Sequence, residues 1–245
     1  MKKLATVILA AGKGKRMKSD LPKVLHPLNG SPMIHYVIRL AKSVGSERVI
    51  AIVGHKKELV IESCKPLGAE FAVQSQQLGT GHAVQMTEEQ LTDFDGDILI
   101  LSGDVPLLTA GTLRELVESH KENEAVATLL TSQLEDPAGY GRIIRNEAGY
   151  VKKIVEQKDA NPEEQAVKEV NVGIYIVHSS HLFRALKKVD NDNAQGEYYL
   201  PDIVPIFIDE GKKVNAVKTQ NFDETRGINN VDQLREAETI LKARR

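Results

Sequence analysis

The chain has a single cysteine, Cys64, in 245 residues, so no internal disulfide can form and a reducing compartment suits it. The neighbours Leu59, Val60 and Ile61 point to a buried spectator thiol rather than a nucleophile. No apolar run approaches the roughly 20 residues that a membrane-spanning helix needs. Neither sign of charge dominates: 32 Lys and Arg face 34 Asp and Glu, a net charge of −2. That balance gives no support for a surface built to hold nucleic acid or membrane lipid. Linker-like composition and internal repeats are also missing, so 245 residues read as one domain with two lobes. With 41% hydrophobic and 27% charged residues, the composition is that of a soluble, cytoplasmic protein. Nothing in it speaks to oligomeric state.

Two familiar phosphate-binding patterns are missing as well. Gly12-x-Gly14 continues to Met17, so the third glycine of a dinucleotide fingerprint is absent, and no Gly-Lys-Ser/Thr follows at a P-loop offset. Pro22, Pro27 and Pro32 prevent a long helix from opening directly on the glycines, as both patterns require. Lys2-Lys3 before Leu4–Ala11 imitates a secretory signal, but four charges within residues 13–18 stand where a signal has a neutral cleavage region.

What is present is more telling. The apolar run from Leu4 to Leu9 reads as a buried strand emptying into a loop with Gly12 and Gly14. Glycines let backbone N–H groups press against a ligand, and successive free N–H groups form an anion nest. Lys13, Lys15, Arg16, Lys18 and Lys23 crowd the same stretch against one acid, Asp20. A cationic glycine-rich turn after a strand is a site for a polyphosphate, although Lys18 reads best as a solvated surface lysine.

Further along, apolar β-branched runs at 4–10, 48–53, 97–102 and 124–131 predict strands. Between them lie predicted helices. One starts at Ser31-Pro32, with the proline in its first turn, stops near Gly45 and turns Met33, Val37, Leu40, Ala41 and Val44 inward. Another runs from Thr109 to His120 with Leu113, Leu116 and Val117 inward. This alternation predicts an α/β fold, a Rossmann-like, mixed but mostly parallel sheet with helices on both faces and ligands at the carboxyl ends of strands. After residue 130 the pattern becomes β-rich: a hairpin over 141–145 and 150–155, a polar loop over 159–165, a strand over 170–177 and a helix near 182–187.

The motifs taken together carry a resemblance. Leu9-Ala-Ala-Gly12-x-Gly14-x-Arg16-Met17-x-Ser19-Asp20-x-Pro22-Lys23 is similar to the signature of the sugar-nucleotide pyrophosphorylases. In order follow Gln74, Leu78-Gly-Thr-Gly-His-Ala83, Gly103-Asp-Val-Pro-Leu107, Gly139-Tyr-Gly-Arg142, Ile154-Val-Glu156, Glu169-Val-Asn-Val-Gly173, Gly196-Glu-Tyr-Tyr199 and Gly227-Ile-Asn-Asn230. These resemble the uridylyltransferases that act on N-acetylglucosamine 1-phosphate. The resemblance implies uridylyl transfer from UTP to that sugar phosphate with Mg²⁺, a step toward peptidoglycan. It also implies a nucleotide-binding half over 1–132, a smaller β-rich sugar lobe over 133–228 and a C-terminal helix over 229–245. The isoleucine-rich hexapeptides of a left-handed β-helix acetyltransferase are absent, so no acetyl transfer is expected of these residues. Rival readings are another sugar 1-phosphate such as glucose 1-phosphate, another nucleotide, or a non-catalytic nucleotide-sugar-binding regulator.

Within that reading each residue has an expected role. A phosphomonoester, with its second pKa near ~6, is already an anion, so no general base is needed. The barrier is charge, met by cations, N–H groups and a metal. Arg16 is expected at the leaving phosphates and Lys23 as the clamp between the α-phosphate and the sugar phosphate, with Leu9, Ala10, Ala11 and Gly12 presenting backbone to the nucleotide. Asp104 stands at the carboxyl end of a strand, where ligands bind. Asp97, seven residues earlier, should be about 23 Å off at ~3.3 Å per residue, too far to share a metal. The resemblance supplies Asn229 as the second ligand. Asn230 with Gln233 resembles a helix capping box. Gln74 can donate and accept, as reading uracil requires, with Gly79 and Thr80 beside it. His82 reads as packing or capping. For the sugar, the resemblance implies Gly141, Glu156 and Asn171, with Tyr199 ranked lower. Ser102 and Val172 depart from common family residues.

Overall fold

The computed structural model describes residues 3–244. Lys2 of the signal-like stretch and the side chain of Lys15 lie outside what is described. Strands form where β-branched runs were predicted, β1 (Lys3–Ala10), β2 (Arg48–Val53), β4 (Gly96–Ser102) and β5 (Ala127–Gln133), and β3 (Glu70–Val73) is added between the second and third of these runs. They are followed by β6 (Gly141–Arg145), β7 (Val151–Val155), β8 (Glu169–His178) and β9 (Val214–Lys218). All nine join one sheet, seven in the order β9-β5-β8-β4-β1-β2-β3, with β6 paired to β8 and β7 to β6. Pairing is parallel except around β8 and in the β6–β7 hairpin.

Alternate residues of the central strands feed opposite cores, as the period of two along a strand demands. Ala5, Val7, Ile50, Ile52, Ile98 and Ile100 pack on one face with Leu182, Phe183, Ile203 and Phe207. The latter come from the helices Ser179–Leu186 and Ile203–Asp209. Leu4, Ile8, Val49, Ala51, Leu99 and Leu101 pack on the other with residues of α1 (Met33–Ser43), α2 (Lys57–Cys64) and the helix Ala110–Glu122. Cys64 ends α2 fully buried, and burial pushes its thiol up to about 11. No described helix is long and apolar enough to cross a membrane.

Several expectations need adjusting. Pro32 stands just before α1 rather than in its first turn, because Ser31-Pro32 pairs with Pro27-Leu28 as a short ribbon. The predicted loop at 159–165 contains a one-turn helix, Pro162–Gln165, closed by a capping box between Asn161 and Glu164. Asn-Pro-x-Glu is the pattern that would have revealed it. No break in the sheet falls at residue 132, since β8 inserts between β5 and β4 and β9 returns beside β5.

Strand order decides where a ligand can sit. From β1 the chain steps outward through β2 and β3, then crosses back to lay β4 on the other side of β1. Crevices form at the carboxyl ends of strands where the order reverses in this way. The registers bring Ala10 beside Val53, Val53 beside Val73 and Leu9 beside Ser102, so the loops after four strands emerge together. Because β8 runs backwards, its beginning lies at the same edge, with Asn171 opposite Thr131 and Gly141.

Candidate active site

Two adjoining cavities open along that edge. One of about 280 Å³ is lined by Leu9, Ala10, Ala11, Gly12 and Lys23 from the glycine turn and by Gln74, Gly79 and Thr80. The other, of about 440 Å³, includes Arg16, Gly141, Glu156, Asn171 and Asn229 in its wall. Leu9, Thr80, Ser102 and Asp104 line both.

Charged groups from two segments and an amide from a third converge where the cavities meet. The Lys23 ammonium donates to Asp104 Oδ2 and, at 3.0 Å, to Asn229 Oδ1. Arg16 donates to the same Asn229 oxygen at 2.8 Å. Gly14 makes the approach possible. Its φ is +59°, and a Cβ there would stand 2.5 Å from the Cβ of Lys23. The segment bearing Asn229 is tied down by the Ile228 N–H donating to the Asp104 carbonyl at 2.8 Å. Asn230 caps the last helix (Val231–Ala243), its side chain accepting from the Gln233 N–H at 2.9 Å. The Gln233 side chain accepts from the Asn229 N–H at 2.7 Å, one residue short of the reciprocal capping-box bond.

A carboxylate oxygen and an amide oxygen already gathered on a cation are hard donors suited to a divalent ion. Among the described residues no group of three or more His, Cys, Asp or Glu side chains gathers to hold one. Such an ion would draw its remaining ligands from water and phosphate, the habit of a strongly hydrated cation. Asp97 lies elsewhere, 1% exposed near the start of β4 and 3.4 Å from His120 Nε2.

The wall of the larger cavity is built differently. Asn171 donates to the Tyr175 hydroxyl at 2.6 Å and accepts from the Gly173 N–H at 3.0 Å. Glu156 is half-buried. Desolvation first, then the nearby carboxylates of Asp202 and Asp159, raise its carboxyl above the ordinary range, against the pull of Arg142. A Cβ on Gly141 would come within 3.1 Å of Glu156 Oε1, so this glycine keeps the wall open beside the acid. Tyr199 lines neither cavity: it is buried, and its hydroxyl accepts from Gln195 at 2.7 Å.

The chain matches the family model described as nucleotidyl transferase over residues 5–227. It belongs to the nucleotidyl transferase family. It is 51% identical over 238 residues to the bifunctional protein GlmU of Bacillus cereus (strain AH187), covering 97% of this chain and 52% of that protein. The same figures hold for the GlmU proteins of Bacillus thuringiensis (strain Al Hakam) and Bacillus anthracis (strain CDC 684 / NRRL 3495). The chain thus spans about half the length of these relatives. Its fold is also that of a UDP-glucose pyrophosphorylase solved with UDP-glucose, at a TM-score of 0.76, 19% identity and 100% coverage of both chains.

For this nucleotidyl transferase, sequence reasoning missed Tyr175 and gave Gln233 and His82 only capping or packing roles. Tyr175 is 2% exposed and lines the larger cavity while holding Asn171. Its even spacing from Asn171 puts both on one face of β8, but four extended residues span about 13 Å, and the contact is closed by the irregularity in β8 between them. Gln233 fixes the backbone of Asn229 from the next helix. His82, four residues from Leu78 in a glycine-rich run, faces Gln74. No local pattern announces that contact.

Proposed function

We propose that this nucleotidyl transferase transfers a uridylyl group from UTP to N-acetyl-α-D-glucosamine 1-phosphate, releasing pyrophosphate and forming UDP-N-acetylglucosamine. The observation that carries the reading is the convergence of Lys23, Arg16, Asp104 and Asn229 between two cavities. The smaller cavity takes the nucleoside, with Leu9–Gly12 along its phosphates and Gln74, Gly79 and Thr80 at the base. The larger takes the sugar, against Gly141, Glu156 and Asn171.

The sugar phosphate attacks the α-phosphorus in line as an anion, so these residues move no proton. Lys23 draws the two phosphates together, and Arg16 stabilises charge on the departing pyrophosphate with its planar fork. Asp104 and Asn229 would hold Mg²⁺, which would supply further neutralisation of phosphate charge. Leu9 lines both cavities and gives the reacting charges one apolar wall. The reaction belongs in the cytoplasm, where UTP is available.

The test is pyrophosphate release measured over a panel of nucleoside triphosphates and sugar 1-phosphates with Mg²⁺ present. UTP with N-acetylglucosamine 1-phosphate should give the highest kcat/KM. Equal or better use of glucose 1-phosphate sinks the sugar assignment, and no turnover with any pair sinks catalysis.

A further inference from the structure

The smaller cavity contains one buried amide whose orientation is forced. Gln74 is 3% exposed, just beyond the end of β3, and its N–H donates to the Val53 carbonyl at 2.8 Å. Its Nε2 lies 3.0 Å from the Gly79 carbonyl oxygen and 3.0 Å from His82 Nδ1. A carbonyl oxygen only accepts, so the amide face turned toward Gly79 must be the nitrogen. The same nitrogen faces His82, whose Nδ1 must therefore accept, leaving the ring proton on Nε2. Burial lowers the pKa of His82, in keeping with a neutral ring.

Both acceptors belong to one rigid piece. The Gly81 N–H donates to the Tyr198 carbonyl at 2.8 Å, and the Tyr198 N–H donates to the Leu78 carbonyl at 2.8 Å. Gly79 has φ of +113°, and a Cβ on it would stand 2.5 Å from the Tyr198 oxygen, so the turn has one placement. His82 rides on the helix that begins at Thr80, immediately beyond. Both amide hydrogens of Gln74 are thus engaged, and among the described residues nothing donates to its Oε1.

We propose that His82 is a positioning residue that holds Gln74 as an acceptor-only reader of the nucleobase and thereby sets which pyrimidine the site takes. The inference rests on the reading above that this cavity receives the base of a nucleoside triphosphate. Uracil presents a donor, N3–H, between its two carbonyl groups. Cytosine presents a lone pair at the same ring position. An oxygen fixed toward that position pairs with uracil and opposes cytosine. An amide free to turn over would present its NH₂ group to cytosine instead. The Gly79 carbonyl alone resists that turn with one hydrogen bond, and His82 adds a second. A polar site discriminates most strongly when its own groups cannot rearrange to suit the wrong substrate.

The experiment compares kcat/KM for UTP and CTP, with N-acetylglucosamine 1-phosphate as acceptor, in wild type, His82→Leu and His82→Asn. Losing one net hydrogen bond should lower the UTP:CTP ratio of His82→Leu by roughly 3- to 10-fold. The change should fall mainly on KM for the nucleotides. His82→Asn, whose amide oxygen can accept in place of Nδ1, should keep most of the ratio. An unchanged ratio in His82→Leu, or equal loss in both variants, overturns the proposal, because shape alone would then explain the residue. Imidazole ¹⁵N chemical shifts of the wild-type protein give an answer even if a variant does not fold. A proton on Nε2 with bare Nδ1 is expected, and a proton on Nδ1 overturns the proposal. Wild type that prefers UTP while the His82 arms fail discards only the role of His82. Wild type that binds neither nucleotide discards the nucleotide reading, and this inference with it.

Discussion

The two ends of the crevice solve different problems with different materials. Where the cavities meet, every polar group has a charged or hard-oxygen partner brought from far along the chain: Lys23 on Asp104, Lys23 and Arg16 on Asn229. These pairs are partly exposed, so an incoming phosphate can replace either partner without leaving a buried charge stranded. At the end proposed for the sugar the polar groups are committed to near neighbours. Asn171 is held by Tyr175 and Gly173 within five residues, and burial, reinforced by nearby acids, discourages the ionisation of Glu156. Charge recognition tolerates adjustable cations, whereas discrimination among hydroxyl and acetamido groups needs side chains that cannot turn to suit an analogue.

The contrast is broken most forcefully at Lys23. Lys23→Ala should cut turnover by roughly 10²–10³, the scale of losing one charge-stabilising donor, while leaving the ratio between sugar substrates alone. Steady-state kinetics with both sugars check this, and a shifted sugar ratio would mean that the two ends do not act separately.

Asn171→Ala is the mirror experiment. Without the amide, Tyr175 and the wall lose their mutual hold, and preference for N-acetylglucosamine 1-phosphate over glucose 1-phosphate should fall by about 10–200-fold. UTP affinity, followed by calorimetry, should stay within about twofold if the neutral amide contributes no net hydrogen bond to the nucleotide.

A smaller effect separates two glycines with similar dihedral angles. Gly14 and Gly173 have φ of +59° and +76°, but only at Gly14 does an added Cβ collide, with Lys23. Either change to alanine should cost about 1–2 kcal/mol from the left-handed backbone. Gly14→Ala should also lower kcat by displacing the clamp, whereas Gly173→Ala, whose N–H holds Asn171, should act on KM for the sugar phosphate and leave kcat near normal. Chemical denaturation and kinetics on both variants decide it.

The mildest prediction concerns acidity at the sugar end. Burial, with Asp190 and Asp159 nearby, raises the Asp202 carboxyl from 3.8 to about 6. A carboxyl whose folded pKa is raised favours the fold when protonated, so its contribution is greatest below 3.8 and declines as pH climbs through about 6. Asp202→Asn removes that decline. Its Tm relative to wild type should therefore rise between pH 4 and pH 7, and thermal melts across that range test it. A constant difference would mean that neither burial nor the neighbouring acids raise the Asp202 carboxyl.

Much of the fold was legible from local pattern. β-branched runs marked the central strands because both faces of a helix-covered sheet are buried. Thr109 and Asn230 marked two helix starts because their side chains can accept from an N–H three residues on. The cationic glycine turn was visible because strand, glycines and charges are contiguous. The backward run of β8 was not visible, since a strand carries no local sign of its direction. Nor was the meeting of Lys23 with residues 81 and 206 positions away. Such encounters depend on strand order and register, which arise from packing the whole sheet. Tyr175 behind Asn171 and His82 behind Gln74 belong to the same class. Sequence alone determined which residues could carry charge, bend or cap, through chemistry that each residue brings with it. Only the tertiary structure decided which of them face one another, because a contact between distant side chains is a property of the packed sheet and not of either residue.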